Sequence, residues 1–219
     1  MKYNIIIFLI ILTSCSSEKE NLIIEGKISG VKNSKIYLST VEEGKIIDSA
    51  NIIDGEFKLQ TYLDATEEMS IILGNKNSEN KFYFISEPVH VLFTSSKDKF
   101  VFNGKIQNSK LYSDYKNLNN QINQFDEKDV EMLAKQIEIS INGNQNKYDS
   151  INEQRLKLNQ KKILFIVNYA MSNPSNLLSA FISYKYRENI NKKYLEKIYE
   201  NLSDEVKDSY YGNKLNSIF

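Results

Sequence analysis

The chain has 219 residues, with 28 basic side chains against 28 acidic, one cysteine and one histidine. That balance excludes a strongly basic nucleic-acid binder and leaves no net field to draw in a highly charged partner. Hydrophobic residues are 41% and charged residues 26%, with only two prolines and eight glycines; this is a globular balance, enough for one large or two small domains, without a long disordered linker.

The N-terminus places Lys2 ahead of an unbroken apolar run, Ile5 to Leu12. A basic end and a short apolar centre are the layout of a secretory signal, and the run is far short of the ~20 residues a spanning helix needs. Leu12-Thr13-Ser14-Cys15 resembles the bacterial lipobox. That resemblance implies a diacylglycerol on the Cys15 sulfur, cleavage before Cys15, and residues 1–14 as a lipoprotein signal peptide. One acyl chain binds a bilayer only marginally, whereas two or three on one residue hold it there. Residues 15–21 read as a short polar tether. No aspartate follows the cysteine, so an outer-membrane position in the cell envelope is expected, by a rule carried over from other lipoproteins. With Cys15 spent on lipid, the mature chain has no thiol for disulfide exchange.

Residues 22–104 carry the period of short strands. Leu22, Ile24 and Ile28 alternate with Glu25, Lys27 and Ser29. "SKIYLST" and "GKIIDSANI" follow, and Asp54-Gly55 between apolar alternations signals a tight hairpin. Then come "GEFKLQT", "MSIILG", "KFYFIS", "VHVLFT" and "KFVFNG", about eight strands in all. Their close spacing leaves no room for crossover helices, so a mainly antiparallel β-sandwich or partly open barrel is expected.

Residues 105–219 change to helical period, making the chain α+β with a C-terminal helical domain. Leu111, Tyr115, Leu118 and Ile122 form one stripe, and Val130, Leu133, Ile137 and Ile141 another. Stripes this regular are expected to be core. Residues 142–146 read as a loop, followed by a long helix with Ile163, Ile166, Val167 and Ala170 on one face. Asn173-Pro174 is expected to start the next helix, with Asn173 as cap and Pro174 first in the helix. Further helices should bury Leu178 and Phe181, then Leu195 and Ile198, and Ser203 is expected to cap the last.

No constellation with catalytic chemistry emerges. His90, the lone histidine, lies in a strand with its side chain opposite Val91 and Phe93, and it lacks a second histidine or cysteine to make a metal site. No catalytic, cofactor-binding or metal-ligating residues are assigned; Cys15 as lipidation site is the one site residue expected. Asp126, Glu127 and Asp129 read as favourable charges at a helix start, not a calcium loop. Glu42-Glu43 and Glu67-Glu68 cannot be ranked as carboxylate pairs from spacing in sequence. The tyrosines of the helical half, Tyr169, Tyr184, Tyr186, Tyr194, Tyr199, Tyr210 and Tyr211, suit either a binding surface or, preferentially, helix packing.

Asp48-Ser49-Ala50 with Asp54-Gly55 and Phe57, Glu87-Pro88, Asn173-Pro174-Ser175 with Ser179, and Tyr199, Leu202, Tyr211 and Gly212 occur in an order that resembles one family. It is the uncharacterised N-terminal region of thioredoxin-like (TlpA-type) thiol–disulfide interchange lipoproteins of the Bacteroidetes. The resemblance covers nearly all the mature chain. That family commonly continues into a thioredoxin domain of on the order of 100 residues bearing Cys-x-x-C. Here no such cysteines occur and the chain ends at Phe219, so redox activity is not carried over. Val89 also stands where the family has glycine after Glu-Pro. The expected role is a membrane-anchored, non-enzymatic binding or assembly module, held by lipid on Cys15, with an envelope protein as partner and no nucleic acid. The alternatives are an accessory to a thioredoxin-like oxidoreductase, and a glycan-binding or carboxylate-based hydrolase.

Overall fold

A computed structural model describes residues 20–219. Eight strands come first: β1 (Leu22–Ser29), β2 (Asn33–Thr40), β3 (Ile46–Ile53), β4 (Glu56–Thr61), β5 (Glu68–Leu73), β6 (Lys81–Ile85), β7 (His90–Ser96) and β8 (Lys105–Gln107), with a single-turn helix, α1 (Phe100–Asn103), between the last two. Then follow α2 (Lys110–Ile141), α3 (Gln145–Ser172), α4 (Leu177–Lys185), α5 (Lys192–Asn201), α6 (Asp204–Lys207) and α7 (Tyr210–Asn216). The architecture is α+β, as the change of period implies.

All eight strands form one sheet in the order β6-β5-β2-β3-β4-β1-β7-β8. It curls into a half-barrel, so the partly open barrel, and not a two-layer sandwich, describes it. The Asp54-Gly55 hairpin forms as expected: both residues have positive φ, 51° and 85°, and Ile53 pairs with Glu56 across the turn. Alternation in β4 buries Phe57 and Leu59 and exposes Glu56, Lys58 and Gln60.

The sheet is antiparallel except that β1 and β7 run parallel. A parallel pair needs a long connection. Here that connection is the whole run from β2 to β6, which a search for crossover helices misses. The link from β6 to β7, residues 86–89, joins one edge of the sheet to a strand near the other. Curling makes so short a link possible, and across the fold the rings of Phe82 and Phe93 lie 5.1 Å apart. The expected eighth strand "KFVFNG" is instead helix α1 plus Gly104, and the strand begins at Lys105. Phe100 is driven into the core, 5.7 Å from the Phe93 ring, and one helical turn delivers it there.

One apolar core runs from the sheet into the helices. It includes Ile24, Leu38, Ile71 and Phe93 together with Tyr115, Phe181, Ile198 and Leu215. β5, flanked by β2 and β6, is buried at all six positions.

The helical half differs from expectation at two ends. The stripes from Leu111 and from Val130 belong to one 32-residue helix, so Asp126, Glu127 and Asp129 lie mid-helix and not at a positive terminus. Asn173 is the C-cap of α3; α4 starts three residues past Pro174, at Leu177, with the Asn176 side chain accepting from the Leu178 N–H. The proline stays in the turn, where its missing N–H costs nothing and its carbonyl accepts from Ser203. Ser203 occupies the cap position of α6, but its hydroxyl makes no cap bond.

Candidate functional site

Two strand carboxylates gather the tyrosines of the helices. Glu68 opens β5 and is buried; its Oε1 accepts from the Tyr115 hydroxyl at 2.9 Å and from Lys185 Nζ at 2.7 Å. The Glu68 backbone N–H donates to the Tyr211 hydroxyl at 3.0 Å. Residues from α2, α4 and α7 therefore meet at one point on the sheet. Burial first, then the Glu68 charge, push the Tyr115 hydroxyl far above the ordinary phenol range, so it acts as a donor.

Glu42, in the β2–β3 loop, forms the second node. Its Oε1 accepts from Tyr184 and Lys214, each at 2.9 Å, and its Oε2 from Tyr210 at 2.8 Å. Burial pushes the Glu42 carboxyl up, but the bonds from Lys214, Tyr210 and Tyr184 outweigh it and hold the group below 4.5. Tyr210 is pushed up to about 12, by burial and then by its bond to Glu42. The Tyr210 and Tyr211 rings, 5.0 Å apart and nearly perpendicular, join the two nodes. Each carboxylate is occupied by helix donors, an arrangement suited to clamping helices onto a sheet. Gly212, next in sequence, lets α7 close on α6, since a Cβ there would stand 2.0 Å from the Val206 carbonyl oxygen.

Beside Glu42 lies a cleft of about 470 Å³ whose lining includes Glu43, Lys45, Tyr62, Asp64, Glu67 and Tyr210. Burial, then the charges of Glu43 and Glu42, push the Glu67 carboxyl up. A wider cleft of about 670 Å³ brings together Glu87, Pro88, Asp114, Asn173, Pro174 and Glu205. Glu87 Oε1 accepts from the Ser109 hydroxyl and, at 3.3 Å, from the Leu111 N–H. Ser109 caps α2 by accepting from Tyr112. The Glu-Pro turn between β6 and β7 thus anchors the start of the longest helix.

The third feature is the hairpin of α2 and α3. Their seam recurs every three and four residues: Ile122, Phe125, Asp129, Met132, Gln136 and Ile139 are buried or half-buried. Opposite them stand Phe165, Lys162, Arg155 and Asn152. Arg155 makes a two-pronged bond to Asp129, 2.8 Å at each oxygen, and a 2.7 Å bond to buried Gln136. A polar layer in an apolar seam fixes helix register. Asp126 pairs with Lys162 at 2.8 Å. Asp126 and Asp129 therefore serve the seam and not a helix dipole, whereas Glu127 stays exposed.

One or two positions past the seam residues lies the second stripe, and it is not core. Val130 is 65% exposed, Leu133 38%, Ile137 54% and Ile141 81%. Leu156 of α3, 58% exposed, follows the seam residue Arg155 and so falls on the same flank. The periodicity identifies an apolar face correctly; it carries no information on whether anything covers that face.

Other expected residues stay apart. His90 projects to solvent opposite Val91, with Nε2 3.3 Å from Glu25 Oε2. Among the described residues no cluster of three His, Cys, Asp or Glu is placed to hold a metal, and no helix is long and apolar enough to cross a membrane. Cys15 and the expected signal peptide, residues 1–14, lie outside the described residues. Tyr184, Tyr210 and Tyr211 converge, whereas Tyr194 stays 53% exposed. Tyr115 and Glu68, the most buried polar pair, have no distinguishing signal in sequence: one is a stripe residue and the other half of an acidic doublet.

This half-barrel with its helical cover defines an α+β module, and the chain can be placed further. Residues 22–159 match the family described as a domain of unknown function (DUF4369), and the chain belongs to that family. The matched region runs from β1 into the middle of α3, taking in the whole sheet and the polar layer of the hairpin. No curated protein and no solved structure matches the chain.

Proposed function

We propose that the chain is a lipid-anchored cell-envelope protein that works as a binding or assembly module without chemistry of its own. The observation that carries the binding role is the exposed stripe Val130, Leu133, Ile137 and Ile141 on a hairpin whose seam is already satisfied. A contiguous apolar face rimmed by charge marks an interaction surface. The carboxylates Glu42 and Glu68, by contrast, are taken up in holding the fold. Anchoring rests on Leu12-Thr13-Ser14-Cys15 and the apolar run before it. In fractionated cells the wild type should sediment with outer membranes, and Cys15→Ala should remain an unlipidated precursor. A photo-cross-linking residue at position 137 should give a discrete adduct in intact cells, and one at exposed Lys35 should not. Equal labelling at both positions would sink the binding role.

A second reading keeps the finer resemblance to the N-terminal region of thioredoxin-like lipoproteins. It draws support from the meeting of Glu87-Pro88 with Asn173-Pro174 on one cleft. It makes the chain an accessory to a separate thioredoxin-fold oxidoreductase, and co-purification of such a protein with the anchored chain tests it. The third, a glycan binder or carboxylate hydrolase, has in its favour the raised carboxyl of Glu67 within a cleft. Loss of glycan binding or hydrolysis in Glu67→Gln would support it; absence of both activities in the wild type would end it.

A further inference from the structure

The stripe on α2 has a charged border of one sign. Glu127, Glu131 and Glu138 are all exposed, and their spacing of four and seven residues sets them in a line along one helix flank. None of the three makes a salt bridge among the described residues, whereas Asp126 and Asp129, on the α3 side, are already paired with Lys162 and Arg155. Lys128 and Lys135 lie further round the helix; Lys135, one turn from both Glu131 and Glu138, makes no salt bridge to either among the described residues. Glu127 and Glu131, one turn apart, repel each other in the free helix.

These features decide among occupants. A second copy paired antiparallel through the same face, with Val130 opposite Ile141, would bring Glu131 of one helix beside Glu138 of the other, adding repulsion. An anionic lipid surface is repelled by the same acids. A helix with an apolar seam and lysine or arginine along one flank satisfies both the stripe and its border, and relieves the repulsion within α2. We infer that the α2 face bounded by Val130, Ile137 and the line Glu127, Glu131 and Glu138 receives a cationic amphipathic helix of another protein. The inference rests on the binding role proposed above and specifies its partner's chemistry.

Two synthetic helical peptides test it against the full mature chain. Both carry leucine at seam positions; one has lysine on the flank and the other glutamate. The wild type should bind the lysine peptide, more weakly as salt rises, and should not bind the glutamate peptide. Glu127→Lys combined with Glu131→Lys and Glu138→Lys should weaken the lysine peptide by roughly tenfold, as three exposed pairs are lost, and should now take the glutamate peptide. Ile137→Asp should abolish both. These side chains are exposed, so each variant should keep the wild-type melting profile, measured alongside. Equal binding of both peptides, binding of neither, or binding untouched by Ile137→Asp overturns the cationic-helix assignment. So does a wild type that is dimeric and becomes monomeric in Ile137→Asp, which would give the face to a second copy. A discrete cross-link at position 137 in cells, with neither peptide bound, would retain the binding role and remove only the partner's charge.

Discussion

The Tyr115 hydroxyl donates to Glu68 Oε1 at 2.9 Å, linking the first long helix to the start of a fully buried strand 47 positions earlier in the chain. Lys185 donates to the same oxygen at 2.7 Å. Together they tie two helices to one carboxylate; Tyr115 and Glu68 are buried there, whereas the Lys185 side chain is 40% exposed. Tyr115→Phe keeps the ring and removes the bond. A hydrogen bond to a charged group contributes about 1.5–3 kcal/mol, so the variant should unfold at lower urea with an unchanged slope. An unaltered midpoint would show that Lys185 alone suffices.

Glu42 makes stability depend on pH from the acid side. Its folded value lies below the ordinary 4.5, so the unfolded chain takes up a proton first as pH falls. The stabilisation is therefore complete above the unfolded value and is lost as pH drops through the folded one. Urea midpoints of the wild type should fall more steeply below pH 4.5 than those of Glu42→Gln. Parallel profiles would remove Glu42 from the account.

Glu67 has the opposite sign. Its folded value is raised, by burial and by Glu43 and Glu42, so ionisation as pH rises through that value costs stability. Glu67→Gln should raise the melting temperature at pH 7, and the gain should vanish once pH falls below the unfolded carboxylate value. A gain that persists in acid would point to packing, not charge.

The two stripes of α2 should respond differently to the same change. Ile122 is 2% exposed in the core and Ile137 is 54% exposed. Ile122→Ala should cost about 2–5 kcal/mol. Ile137→Ala should stay within about 0.5 kcal/mol. Similar losses at both positions would mean that the outer stripe is covered in the free protein.

The polar layer of the hairpin makes a smaller contribution. Asp129 is held below its usual range, by its bond to Arg155 against a burial penalty. Since the carboxylate is 39% exposed, solvent screens it, and Asp129→Ala should cost about 1 kcal/mol. Hydrogen exchange should then speed up in α2 and α3 near this layer while the sheet keeps its protection.

Local chemistry made much of this protein legible in its residues. Asp54-Gly55 needs only its own φ angles to form a turn, and Phe57 and Leu59 need only a period of two to share a face. The long helices, the change from strand to helix, and the buried Ile166, Val167 and Ala170 follow from spacing alone.

Only tertiary structure decided the rest, because those outcomes depend on residues far apart in the chain. The parallel pairing of β1 with β7 depends on the curl of the whole sheet. Phe100 became helical because the core, not its neighbours, determined where its ring must go. Asp129 turned from an expected helix-start charge into a partner of Arg155 when α3 folded back beside it. Glu68 and Tyr115 met because a strand and a helix were stacked by an apolar core whose contacts no local spacing records. The same limit explains the outer stripe of α2: a period of 3.6 places apolar residues on one face, but only the arrangement of the other helices determines whether that face is buried or left for a partner.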